Sequence, residues 1–206
     1  LYTYWRSSAA FRGRIALGLK GVGYESVPRH LLRAGGEQRQ ADYLALNPLS
    51  VVPTLVDDDV PVIESSIICE YLEDRFPTPS LRPMAPQARA EMRLWMKHVD
   101  NKLHPSCGAL QWPLVMADKL RRLPVEEQMR VIDQVPEKPR RERQRRLLLQ
   151  GYDAPDVAEG VQVYEQTIAD LERVLATRPW VAGDAFSLAD ASLAPYFQTL
   201  FQFGWE

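Results

Sequence analysis

The sequence has few cysteines and no long apolar run. Cys69 and Cys107 are the only cysteines among 206 residues, and neither belongs to a Cys-x-x-Cys pair. Such usage argues against a disulfide framework or a zinc site, and it predicts two buried thiols in the reducing cytoplasm. No apolar run approaches the roughly 20 residues that span a bilayer, so we expect no membrane partner.

A strong charge of either sign is also missing. The formal net charge is -2, so no overall field favours nucleic acid or an anionic membrane surface. Arginines cluster from Arg140 to Arg146, but no aromatic residues are interleaved with them. A solvated helix face is therefore the better interpretation, and no nucleic-acid partner is predicted.

Several motifs that carry well-known chemistry are absent. The sequence contains no Walker loop, no Gly-x-Gly-x-x-Gly, no His-Glu-x-x-His and no Gly-x-Ser-x-Gly. Phosphate-loop, dinucleotide, zinc-protease and serine-hydrolase sites therefore have no support. Because His30, His98 and His104 lack a ligand spacing with acidic or thiol partners, we predict no metal site.

The first 77 residues alternate between short strand and helix patterns. An aromatic-rich strand precedes a helix in which Phe11, Ile15 and Leu19 recur at helical spacing. The order β-α-β-α-β-β-α predicts a parallel unit, a hairpin and a covering helix. The predicted strands are Leu1–Tyr4, Glu25–Leu31, Thr54–Val56 and Val60–Ile63, and the later helices are Gln38–Leu46 and Ile67–Phe76.

A proline-rich linker follows, and the segments after it have helical periodicity. Met92, Met96, Val99 and Leu103 form one apolar stripe, and a second stripe runs through Val157–Leu175. We therefore predict an α/β domain at 1–77 and an all-α domain at 82–206. The chain stops within an aromatic stretch, and we expect the natural protein to continue beyond that point.

The first candidate constellation lies between the first strand and the first helix, at Ser7–Arg12. A helix N-terminus offers unpaired N–H groups and a partial positive charge, which can hold a thiolate. Together with a hydroxyl donor, this would lower a thiol pKa of about 8.5 by about 2. Ser7 or Ser8 can be that donor, and the alternative is that both serines only cap the helix.

Two further constellations point to a peptide ligand with an amino-acid head. A cis Val52–Pro53 bond would turn the backbone N–H and C=O of Val52 outward, where a peptide can pair as an added strand. Ser65 can cap the next helix and hold a carboxylate, while Glu64 accepts the matching ammonium. Taken singly, an ordinary proline leading a strand and a plain N-cap remain the alternatives.

In their order, these motifs resemble the cytosolic glutathione transferase family across essentially the whole chain. The resemblance implies a thioredoxin-like domain that binds glutathione, an all-helical domain that shapes the electrophile pocket, and a homodimer. The matching text is Val52–Leu55, Glu64–Ile68, Tyr71–Leu72 and Val181–Asp190, the last with a capping box at Ser187–Asp190.

Two classes of the family are matched by different parts of the chain. The N-terminal motif resembles the zeta class, which isomerises maleylacetoacetate or maleylpyruvate, although Ala9 stands where that class has cysteine. The middle and C-terminal parts resemble bacterial β-etherases, which cleave aryl ethers of lignin fragments. The zeta-like residues are Ser7, Ser8, Arg12 and Arg14–Leu17, and the β-etherase-like segments are Glu64–Asp74, Ser80–Pro83 and Arg89–Trp95.

The resemblance gives each site residue a role. The sulfur of glutathione would point at the catalytic Ser7, with Ser8 nearby. The cysteine backbone of glutathione would pair with Val52, which precedes Pro53, and the γ-glutamyl head would bind Glu64 and Ser65. We predict that Ser8 caps the helix while Ser7 stands one residue further out.

The resulting prediction is a cytoplasmic glutathione S-transferase. It activates the glutathione thiol for attack on a small, aromatic or hydrophobic electrophile. Isomerisation of the maleylacetoacetate or maleylpyruvate type and β-aryl-ether cleavage are the catalytic alternatives. A non-catalytic glutathione-binding module is the alternative from another class.

Overall fold

The computed structural model describes residues 1–204, apart from the side chain of Ala34. Trp205 and Glu206, the last two residues of the predicted helical domain, lie outside that range. The strands are β1 (Tyr2–Thr3), β2 (Val27–Pro28), β3 (Thr54–Asp57) and β4 (Val60–Ile63). The α-helices are α1 (Ser8–Lys20), α2 (Ala41–Leu46), α3 (Ser65–Arg75), α4 (Pro86–His98), α5 (His104–Trp112), α6 (Asp118–Leu120), α7 (Val125–Asp133), α8 (Lys138–Gln150), α9 (Pro155–Leu175) and α10 (Leu188–Gln202).

The sheet has the order β2-β1-β3-β4, and it contains the predicted parallel unit and hairpin. β1 is parallel to β2 and antiparallel to β3, and β3 is antiparallel to β4. β2 is shorter than predicted because the chain turns at His30, whose Nδ1 accepts the N–H groups of Leu32 and Arg33. The helix predicted at Gln38–Leu46 is divided into a 3₁₀ turn at Glu37–Arg39 and the helix α2.

The buried face of α1 differs from the prediction. Leu19, assigned to the core by its spacing, is 43% exposed. The helix instead buries small residues and two charged ones, which allows it to pack closely on α3. Its buried residues are Ala10, Arg12, Gly13, Ala16, Leu17 and Lys20.

The chain forms two compact units. One contains 1–100 together with the segment from Leu171 onward, and the other contains Asn101–Asp170. In the first unit, α10 packs against α1 and α4. The domain boundary predicted between positions 77 and 82 lies inside this unit, so it remains a prediction from the sequence.

In the second unit, arginines of α8 contact other residues of that unit. Arg145 pairs with Asp133, Arg146 pairs with Asp156, and Arg141 donates to the carbonyl of Val135. These contacts leave the side chains half-buried rather than freely solvated.

The capping box at the start of α10 is confirmed. The Ser187 Oγ accepts from the N–H of Ala189, and Asp190 accepts from the N–H of Ser187. This exchange satisfies N–H groups that a helix leaves unpaired at its start. Within residues 1–204, no helix has the length and apolar character needed to cross a membrane.

Candidate functional site

The sheet brings the three predicted site segments to one edge. Tyr2, Thr54 and Ile63 lie side by side in β1, β3 and β4. Since β3 runs opposite to its two neighbours, the end of β1, the start of β3 and the end of β4 face the same way. Ser7 lies after the end of β1, Val52 lies before the start of β3, and Glu64 lies after the end of β4.

Packing joins the first two segments. Val52 and Ala10, from the first turn of α1, belong to one buried cluster with Tyr4 and Tyr43. The segment before β3 is therefore held against the N-terminus of α1, where an anion is favoured.

Ser7, rather than Ser8, caps α1. Ser7 has an extended backbone, and its Oγ accepts the N–H of Ala10 at 3.1 Å. Ser8 is the first residue of the helix, so the prediction that Ser8 provides the cap is wrong. Among residues 1–204, no acceptor is seen for the hydroxyl hydrogen of Ser7, which can therefore still donate to an anion beyond the helix end.

Val52 has unpaired backbone groups. The Val52–Pro53 peptide is cis, as predicted. The residue is 6% exposed, yet within the described part of the chain neither its N–H nor its C=O has a hydrogen-bond partner. These two groups are therefore available to pair with the peptide groups of a ligand.

A buried polar network holds the segment before β3. The hydroxyl of Tyr43 donates to the Val51 carbonyl at 2.6 Å, and the Nδ2 of Asn47 donates to the same oxygen at 3.0 Å. Both side chains also contact the Oγ1 of Thr54. No role in the site was predicted from the sequence for Tyr43 or Asn47.

Ser65 does not cap α3 as predicted. The helix begins at Ser65 itself, and Glu64 occupies the N-cap position with φ 68° and no side-chain cap bond. The reason is that the Oγ of Ser65 turns inward, where it accepts from the Nη1 of Arg12 at 3.0 Å. A positive φ in a residue other than glycine is uncommon and clusters at ligand sites.

Arg12 is the main residue of the candidate site to which the sequence analysis assigned no role. The side chain is 1% exposed and donates to Ser65, Asp100 and Ser192. Burial lowers the pKa of Arg12, but Tyr196 and Asp100 raise it further, so the guanidinium stays charged. The sequence did contain a signal for this role, namely an arginine in the first helix at a position that points inward.

The buried cysteine nearest this network is not a thiolate. Burial raises the pKa of Cys69 to about 11, despite the opposing effect of Arg12, so the thiol is protonated at neutral pH. In residues 1–204, no group of three or more His, Cys, Asp or Glu is arranged to hold a metal ion.

A cavity of about 400 Å³ lies elsewhere in the first unit, beside β1 and β2. None of the predicted site residues is among its described lining residues. The candidate site is therefore identified by its unpaired groups and helix ends. The cavity is lined by Thr3, Tyr4, Trp5, Arg14, Ser26, Pro28, His30, Arg33 and Glu37.

Comparison with known proteins establishes the family. Residues 1–80 match the N-terminal domain of glutathione S-transferases, and residues 139–203 match their C-terminal domain. The maleylacetoacetate isomerase of Pseudomonas aeruginosa is 36% identical over 206 residues, which cover 99% of this chain and 82% of that protein. The chain therefore belongs to the glutathione S-transferase family. It is a glutathione-dependent enzyme, with glutathione as its cofactor or co-substrate.

Solved structures confirm the predicted fold class. The β-etherase LigF from Sphingobium sp. strain SYK-6 has a TM-score of 0.86 and 29% identity, covering 97% of this chain and 82% of that one. A zeta-class maleyl pyruvate isomerase has a TM-score of 0.73 and 27% identity, covering 100% and 84%. The match to the maleylacetoacetate isomerase of Mus musculus, 43% identical, covers only 49% of that protein.

Proposed function

We propose that this chain holds glutathione between the N-termini of α1 and α3 and activates its thiol with Ser7. The thiolate then attacks a small, aromatic or hydrophobic electrophile in the cytoplasm. Residues 1–77 serve as the glutathione-binding domain, and residues 82–206 as the domain that selects the electrophile. The two cysteines are buried and are not joined in a disulfide, which is compatible with a reducing compartment.

The unpaired backbone of Val52 carries the proposal. Its N–H can donate and its C=O can accept, as at an open strand position, so the cysteine residue of glutathione pairs with them as an added strand. A general hydrophobic ligand would leave both groups unsatisfied, at a cost of about 1–3 kcal/mol each.

The start of α3 suits the γ-glutamyl head. Ser65 accepts from Arg12, so its own hydroxyl hydrogen remains to be donated to the α-carboxylate of the ligand. The N-terminus of the helix adds partial positive charge at the same place. Glu64 is exposed beside it and accepts from the ammonium group.

Ser7 acts on the sulfur. Its cap bond to Ala10 uses the Oγ as an acceptor and fixes that atom at the helix end. The hydroxyl hydrogen then donates to the glutathione sulfur and favours the thiolate, while the thiol proton leaves to solvent. A pKa lowered by about 2 corresponds to about 2.7 kcal/mol. With an aryl halide, the thiolate lone pair forms the new C–S bond, and the halide leaves with the electron pair of the carbon–halogen bond.

Each of the two alternative reactions is supported by one of the comparisons. The identity to a maleylacetoacetate isomerase over nearly the whole chain favours isomerisation, in which glutathione is returned unchanged. The high TM-score to a β-etherase favours cleavage of an ether, in which glutathione is consumed. A non-catalytic binding module is disfavoured because Ser7 retains a hydroxyl at the helix end.

A turnover screen separates these reactions. The protein is incubated with glutathione and an aryl halide, a maleyl diketo acid or a β-aryl ether, and product is followed by chromatography. We expect thioether formation from the aryl halide. Turnover of the diketo acid or the ether alone would replace the transferase proposal with that reaction, and binding of glutathione without any turnover would favour the non-catalytic module.

We also propose a two-fold homodimer, in which 46–52 and 71–77 face 89–98 of the partner subunit. Leu94 on α4 is 67% exposed, and burial of such a side chain at an interface is favourable. Leu94→Glu is expected to convert the dimer to a monomer in light scattering at micromolar concentration. Leu149→Glu, at a leucine that is 68% exposed in the other unit, should leave the dimer intact. A monomeric wild-type protein would contradict the proposal.

A further inference from the structure

The contacts of Arg12 join the two ends of the proposed site. Arg12 lies in α1, the helix capped by Ser7, and its Nη1 donates to the Ser65 Oγ of α3 at 3.0 Å. The same Nη1 donates to the Asp100 carboxylate at 2.5 Å, and the Nη2 donates to the Ser192 Oγ of α10 at 3.1 Å. One buried side chain therefore ties together the elements that carry Ser7 and Ser65.

We propose that Arg12 is a positioning residue that sets the spacing between the thiol end and the amino-acid end of the glutathione site; this inference rests on the proposed function. Glutathione is held at both ends, so its affinity depends on how closely the two ends match its length. A tie between the helices keeps this distance fixed before the ligand arrives, which lowers the ordering cost of binding.

Only an arginine meets the demands of this position. The planar guanidinium donates in two directions at once, from Nη1 towards Ser65 and Asp100 and from Nη2 towards Ser192. Lysine carries the same charge on a single nitrogen and does not reproduce that fork. The substitution Arg12→Lys therefore keeps the buried charge beside Asp100 while weakening the hydroxyl contacts.

A buried ion pair joins the same two helices at their other ends. Lys20, the last residue of α1, contacts Glu73 near the end of α3. The hydrogen bond from Arg12 to Ser65 and the Lys20–Glu73 pair both hold α1 against α3, but only the Arg12 contact lies at the end where Ser7 and Ser65 are found. If Arg12 served stability alone, its loss would resemble the loss of Lys20.

The test compares steady-state kinetics and melting temperature for Arg12→Lys and Ser192→Ala. We expect Arg12→Lys to raise the KM for glutathione about 10-fold, the scale of one weakened hydrogen bond to a charged group. The kcat at saturating glutathione and the KM for the electrophile should change less than about twofold, because Ser7 and its cap bond are untouched. Ser192→Ala removes the other hydroxyl that accepts from Arg12 but leaves the Nη1 contacts with Ser65 and Asp100, so it should raise the KM for glutathione much less than Arg12→Lys does.

Two results would overturn the inference. One is an Arg12→Lys protein with a lower melting temperature but the wild-type KM for glutathione. The other is an equal rise in KM for Ser192→Ala. If Arg12→Lys does not fold, Asp100→Asn serves instead, with a smaller rise in KM in the same direction expected and an unchanged KM overturning the inference. Calorimetry of the wild-type protein with glutathione is the separate check, since absence of binding heat would refute the proposed function itself.

Discussion

Replacement of Ser7 by alanine is expected to lower turnover with glutathione by about 10²–10³-fold, the effect of removing one preorganised donor. The variant should also lose about 1 kcal/mol of stability, because the N–H of Ala10 loses its cap. Without the donor, the pKa of the bound thiol rises towards about 8.5. Activity should therefore recover in part as the pH is raised, since a larger fraction of the thiol is then ionised.

Two matched variants separate the cap from the thiol donor. Ser7→Gly also lacks the hydroxyl, but glycine at an N-cap costs only a few tenths of a kcal/mol. Its turnover should fall as far as that of Ser7→Ala while its melting temperature stays closer to wild type. Ser8→Ala leaves the cap in place and should keep most turnover. The pH–rate profiles and the thiolate absorbance of all three decide the matter: if Ser8→Ala loses the thiolate and Ser7→Gly keeps it, Ser7 is not the activator.

Replacement of Lys20 by methionine is expected to lower the free energy of unfolding by about 3–5 kcal/mol, the cost of leaving a buried charge without its partner. The Nζ of Lys20 lies 2.5 Å from the Oε2 of Glu73 and also donates to the carbonyl of Pro79 at 2.5 Å. Both ionised side chains are almost fully buried. Glu73 retains the N–H of Leu81 and the hydroxyl of Ser80, but neither supplies positive charge.

The neighbouring residue of α3 provides a control for this effect. Asp74 pairs with Arg82 at 2.8 Å, and its side chain is exposed. Arg82→Ala should cost about 0–1 kcal/mol, as exposed ion pairs do. Denaturant unfolding of both variants gives the comparison, and a Lys20→Met protein as stable as Arg82→Ala would show that the buried pair is not needed.

The positions of the site segments could be predicted because their order along the chain is specific. Val52–Pro53 leads a strand and Glu64–Ser65 opens a helix, and the antiparallel pairing of β3 with β4 brings them to one edge. Strand propensity and turn residues report on such local pairing directly. The cis peptide at Pro53 was predicted because it would turn the Val52 backbone towards a ligand, and the capping box was predicted from the spacing of Ser187 and Asp190.

The residues that α1 buries could not be predicted, because its hydrophobic periodicity selects a different set of residues from those that are buried. Hydrophobic periodicity selected Phe11, Ile15 and Leu19, whereas the helix buries Arg12 and Lys20. Charged residues are rarely buried unless they are paired, and their partners lie far along the sequence, at Asp100 and Glu73. Local patterns contain no information about partners that are 50 or more residues away.

The predictions that Ser8 and Ser65 cap their helices were wrong for a related reason. At both helix starts the sequence offers two neighbouring residues that could cap, and the choice depends on tertiary contacts. The side chain of Ser65 is drawn inward by Arg12, which leaves Glu64 at the N-cap. At α1 no such competitor exists among the described contacts of Ser7, and the earlier of the two serines takes the cap.

The hairpin between β3 and β4 makes the geometry of the site sensitive to a distant turn. Asp58 and Asp59 both have left-handed backbones, with φ 48° and 65°, as a two-residue hairpin turn of the primed type requires. That turn fixes which residues of β3 and β4 face each other. One inserted or deleted residue there would slide β4 by about 3.4 Å and carry Glu64 and Ser65 away from Val52. This surface loop, although far from the candidate site, should therefore tolerate changes of residue type much better than changes of length.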